Sequence, residues 1–100
     1  MYEHRFAEAE KTLQEAIARS RRSMGERHWY TLNARYNLAC KSALEAKRDE
    51  AFARLRVAID HGYGADQWMQ QDEDLQSLHG DPRFDALGAR ARAVRERPGG

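Results

Sequence analysis

Most of what would give this chain an obvious chemistry is missing. Cys40 is the single cysteine among 100 residues, so no internal disulfide can form, and the usage fits a reducing compartment. There are only two prolines and two valines, Val57 and Val94, which removes the usual raw material of sheets and leaves helices uninterrupted. No stretch approaches the roughly 20 apolar residues needed to cross a bilayer. The opening MYEHRFAEAE is charged throughout and has no apolar signal core. The net charge is only +1, which gives no global field toward nucleic acid or membrane. These absences together read as a cytoplasmic protein.

What is present is alanine, arginine, glutamate and leucine, the composition of an all-α domain. At this length one domain is expected, able to bury about two-thirds of its unfolded surface. It covers residues 1–97, and Pro98-Gly99-Gly100 reads as a flexible tail. Phe6, Ala9, Leu13, Ala16, Ile17 and Ser20 recur at steps of three and four, predicting a helix from about Glu3 to Arg22, stopped at Gly25. A second helix, Trp29 to Ala46, is apolar around most of its circumference, which requires neighbours on several sides. A third starts near Asp49 as cap, carries Ala51, Phe52, Leu55, Ala58 and Ile59 inward, and ends at His61-Gly62. Ala65 to Gln71 reads as a short helix, with Trp68 and Met69 as core or cap, and Leu75 and Leu78 as core contributions from a helical turn. Asp81-Pro82 is a strong helix start, followed by Phe84, Leu87, Ala91 and Val94 on one stripe.

Two segments match in register. Glu8, Ala9, Leu13, Ala16 and Ile17 meet Glu50, Ala51, Leu55, Ala58 and Ile59, each pair 42 positions apart. The stretch YNLACKSALEAKRDEAFARLRVAI resembles a tetratricopeptide repeat. The spacing is similar to the kinesin-light-chain type, whose linker Gly25, His28 and Thr31 echo, although Trp29-Tyr30 stands where that type has Pro-Asp. QDEDLQSLHGDPRFDAL resembles the closing segment of bacterial tetratricopeptide arrays. The resemblance implies an α-α superhelix fragment of antiparallel hairpins with a C-terminal capping helix. Ala39, Ala51 and Ala58 would then be the small residues that let paired helices approach closely.

The resemblance also implies where a partner would bind. The groove face of the second helix would carry Asn33, Tyr36, Asn37, Cys40 and Leu44, with Asn37 reading a ligand's backbone. An amide both donates and accepts, which suits a peptide bond. Trp29 and Tyr30, at the helix start, either anchor a partner or cover the Met24 end of the first helix. Other chemistry finds little support. His4, His28, His61 and His79 have no metal-ligand spacing, and DEDLQSLHGDPRFD lacks the glycine and glutamate placement of a calcium loop. Cys40 reads as a packed small residue rather than a nucleophile. There is no phosphate-binding glycine loop and no nucleophile elbow. Residues 60–87 hold seven acids and one base, and Arg90, Arg92, Arg95 and Arg97 then suit the end of a helix without forming a nucleic-acid footprint.

The expectation is therefore a non-catalytic module with no cofactor and no metal, holding a protein or peptide on the second helix. The alternative is a homo-oligomerising or structural end-cap of a larger bacterial regulatory protein. In it the first helix, lacking an upstream partner, either continues a longer array or is covered by a second copy as a homodimer.

Overall fold

The computed structural model describes residues 2–97, so the tail expected at 98–100 lies outside the described residues. The fold is all-helical, with no strand among the described residues. The elements are α1 (Tyr2–Ser23), α2 (Trp29–Leu44), α3 (Arg48–Asp60), α4 (Asp66–Gln71), a 3-10 segment (Glu73–Leu78) and α5 (Pro82–Glu96). No helix is long and apolar enough to cross a membrane among these residues.

Local chemistry sets the boundaries. The α1–α2 corner is tied by Thr31, fully buried, whose hydroxyl donates to the Gly25 carbonyl and lies 2.9 Å from the Ser20 hydroxyl. His28 caps α2 by accepting from the Tyr30 amide through Nδ1 at 3.1 Å. The second helix ends at Leu44 rather than Ala46, because Ala46 turns the chain with φ 63°. Asp49 does not cap α3, as the sequence implied. It sits inside the first turn, where a negative charge suits the helix dipole, and pairs with Arg83 at 2.8 Å. At the other end of α3 the Gly62 amide reaches Ile59 O and the Tyr63 amide reaches Ala58 O, with Gly62 at φ 125°. This paired closure needs a left-handed residue, and glycine takes it without steric cost. Asp81 caps α5 through the Arg83 amide at 2.9 Å, with Pro82 in the first turn, as the sequence predicts.

The main core gathers around α2 and α3. Ala39, Ala51, Leu55 and Ala58 are fully enclosed, and Ile59 and Tyr36 are 1 % exposed. Methyl-sized side chains let the two helices approach until larger neighbours interlock around them. The 3-10 segment closes on α2 with Leu75 and Leu78, and α5 closes on α3 with Phe84, Leu87 and Ala91. Met69 is buried with them, whereas Trp68, expected as core or cap, is 55 % exposed and lies outside the core. A smaller cluster, separate from this core, holds Ile17 against Ala34 and Leu38, with Leu13 at its edge.

The two halves matched at 42 residues do not fold alike. Ala51 is enclosed while Ala9 is half-buried, and Leu55 lies in the main core while Leu13 borders the small cluster. Helix α1 packs mainly on α2 and reaches α3 through the Glu10–Arg54 pair, whereas α3 packs on both α2 and α5. Equal spacing reflected similar helix chemistry and not an equivalent environment.

Candidate functional site

The outer face of α2 is where the expected binding residues fall. Successive helical residues turn by about 100°, so Trp29, Asn33, Tyr36, Asn37, Cys40 and Leu44 share one broad face. The structure divides that face. Trp29, Tyr30, Asn33, Asn37 and Leu44 are exposed. Tyr36 and Cys40 are buried, 1 % and 4 % exposed, because the α4 to 3-10 connection runs over their edge. They are core residues rather than groove residues, which corrects the sequence expectation for both.

What covers them is a compact polar knot. The Tyr36 hydroxyl donates to Asp72 Oδ2 at 2.6 Å, and its ring stacks on Tyr63 with centroids 4.5 Å apart and planes 11° from parallel. Cys40 Sγ lies 3.8 Å from the same oxygen. The other Asp72 oxygen caps the 3-10 segment by accepting from the Asp74 amide at 3.0 Å. Ligand atoms of Cys40, Asp72 and Asp74 fall within 4.8 Å of one another, a grouping that spacing along the sequence did not reveal. Both oxygens of Asp72 are committed to neighbours, so the knot serves as a structural clasp. Burial, followed by the nearby Asp72 charge, pushes the Cys40 thiol up to about 12. Such a thiol stays protonated at neutral pH, and the thiolate is what attacks. Burial and the bond to Asp72 likewise push the Tyr36 phenol well above its ordinary range. Asp74 is raised as well, by burial and then by the charge of Asp72.

A second polar cluster, not foreseen from the sequence, locks α1 to α2 and α3. Arg54 grips Glu10 with two guanidinium nitrogens at 2.9 and 2.7 Å, and Lys41, only 7 % exposed, reaches the same carboxylate at 2.9 Å. Lys41 also donates to Glu45, and Ser42 bridges Glu50 and Arg54. The Arg54 hydrogen bonds hold Glu10 well below the usual carboxylate range, at about 2, against a smaller opposing effect of burial. Lys41 is raised: burial opposes its charge, and the bonds to Glu45 and Glu10 outweigh that opposition.

The surface is most unusual at the α1–α2 corner. Met24 is 52 %, Trp29 68 % and Tyr30 45 % exposed. The Trp29 ring lies against the rings of His28 and Tyr30, each with centroids 5.8 Å away, and Met24 stays more than half exposed. Any cover that the aromatic pair gives helix one leaves Met24 more than half exposed. Beside it, Glu26 is held by Arg35 at 2.8 Å, whose hydrogen bond lowers its pKa.

The family described as "A/B hydrolase-like, N-terminal domain" matches residues 2–97. This match overturns the tetratricopeptide resemblance, kinesin-light-chain spacing and bacterial closing segment included. The unequal surroundings of Ala9 and Ala51 give the physical reason: the internal match was one of helix composition. No curated protein and no solved structure matches the chain.

Proposed function

Because the chain belongs to the A/B hydrolase-like N-terminal domain family, we propose that it is a non-catalytic docking domain for an α/β-hydrolase-like domain. One observation carries the reading: three large apolar side chains, Met24, Trp29 and Tyr30, stand uncovered at one corner. Aromatic residues of this kind dominate binding energy when a partner buries them. Asn33 and Asn37 extend the surface along α2 with groups that donate and accept, a polar rim beside an apolar centre. Leu44 lies at the far end of the same helix. On this reading α2 and α3 form the rigid pair that presents the surface, and α5 closes the opposite side. The Cys40 thiol, buried and held protonated, supports a role without nucleophilic chemistry.

The test mixes this domain with a separately produced α/β-hydrolase-like domain from a protein of the same family and measures Kd by calorimetry. Trp29→Ala with Tyr30→Ala is expected to weaken binding by about tenfold or more, with the melting temperature unchanged because both side chains are exposed. Equal affinity in the double variant rejects the reading.

Self-association through α1 is a second reading, favoured by Phe6 and Leu13, which are only half-buried on a helix with α2 as its neighbour. It requires melting that depends on protein concentration in the domain alone.

A further inference from the structure

Next to the aromatic corner the surface sinks into a cavity of about 440 Å³, bounded by Arg27, Arg90, Arg97 and Asp60. Arg27 comes from the loop that leads into Trp29, so one wall of the cavity stands two residues along the chain from the exposed aromatics. Three guanidinium groups face a single carboxylate, and that carboxylate is already shared: Arg90 holds Asp60 at 2.5 Å, and Arg56 approaches it at 3.6 Å. No described carboxylate pairs with Arg27 or Arg97. Glu26, the residue before Arg27, is engaged by Arg35 and Arg21. Arg95, on the adjoining wall, is matched by Asp66 at 2.6 Å.

The helix ends do not cancel this excess. α3 and α5 both finish beside the cavity, and each helix end carries only about half a negative charge. Two unpaired guanidinium groups outweigh them. Ile59 and Val94 give the cavity an apolar floor, which lowers the local dielectric and strengthens a charge pair formed there. Guanidinium is also the cation best shaped to hold a carboxylate through two parallel bonds.

We propose that an acidic side chain of the docked α/β-hydrolase-like domain seats in this cavity, gripped by Arg27 and Arg97, while Trp29 and Tyr30 bury against apolar surface beside it. This rests on the docking reading and adds the chemistry of the partner: a carboxylate flanked by apolar residues.

The experiment uses the same two-domain calorimetry with Arg27→Glu and Arg97→Glu together, at about 50 and about 200 mM salt. The charge-reversed domain is expected to bind about tenfold more weakly at low salt and to lose most of the salt dependence, while Trp29→Ala with Tyr30→Ala weakens binding and keeps that dependence. If the arginine variant binds like the parent while the aromatic variant fails, docking stands and the inference falls. If the unaltered domains do not associate, both fall. Should millimolar pyrophosphate raise the melting temperature of the parent domain but not of the arginine variant, with domain binding unaffected by the charge reversal, the cavity is a small-anion site and the inference is overturned. Circular dichroism at each step checks that the variants are folded, and a variant with Arg27→Gln and Arg97→Gln gives the same reading without introducing repulsion.

Discussion

Glu10 holds together three helices, and replacing it with glutamine isolates what that carboxylate contributes. Its two oxygens receive Arg54 bidentately, Lys41 and Gln14. Glutamine keeps the size but carries no charge, and its amide nitrogen faces donors. Lys41 is then left with Glu45, and Arg54 with Glu50 at 3.5 Å. Removing one partner of a fully buried pair costs about 3–5 kcal/mol, and an exposed pair contributes about 0–1 kcal/mol. Glu10 is 30 % exposed and Arg54 21 %, which places the loss near 2 kcal/mol. The pKa leads to the same place. A carboxyl lowered from 4.5 to about 2 corresponds to about 3 kcal/mol before solvent screening and to about 2 after it.

The pH dependence supplies the sharper test. Because the folded pKa lies below the unfolded one, the contribution is complete above 4.5 and drains away as pH falls toward 2. Urea titrations followed by circular dichroism at neutral pH and in steps below 5 yield the stability difference between parent and Glu10→Gln. Glu26 is held low by Arg35, outside this network, so it titrates alike in both proteins and cancels in that difference. The gap is expected to be about 2 kcal/mol at pH 7 and to close as the acid limit is approached. A gap that stays constant across the acid range, or one below about 0.5 kcal/mol at pH 7, refutes the assignment of Glu10 as the shared anchor.

Two further expectations concern the interior. A methyl group added at Gly64 would meet the Arg95 amide nitrogen at 2.9 Å and the Ala91 carbonyl at 3.2 Å, so Gly64→Ala should cost about 1–3 kcal/mol in urea titration; the same change at Gly80 finds open space, and only its φ of 89° opposes it. Cys40 should react with iodoacetamide about a thousandfold more slowly in the folded chain than in urea, since its thiol is pushed up to about 12; rates within about tenfold of each other would contradict its burial.

Helix periodicity carried the fold because each stripe is a local property. Leu55, Ala58 and Ile59 on α3, and Phe84, Leu87 and Ala91 on α5, point inward where their spacing put them. The Asp81-Pro82 start was legible for the same reason, since a cap needs only the residues beside it. What failed depended on partners distant in sequence. Lys41 is buried because Glu10 lies 31 positions earlier, and Tyr36 is buried because Asp72 lies 36 later. Periodicity on α2 could not separate Asn37, which meets water, from Cys40, which meets a returning segment. The tetratricopeptide resemblance failed through the same blindness, because Ala9 and Ala51 have like neighbours along the chain and unlike ones across it. Trp68 and Met69 show it in miniature: adjacent large residues, of which one fills the interior and the other meets solvent.

The division of the interior into one large cluster and one small one has a mechanical meaning. Helix α1 is fastened by Ile17 and its few companions and by the Glu10 ion pairs, while the rest of the chain shares a continuous interior. Cooperativity follows shared contacts, so α1 is expected to lose its amide-exchange protection before the remainder does. Acid, which empties the charge on Glu10, is expected to bring that loss forward in α1 before it does elsewhere.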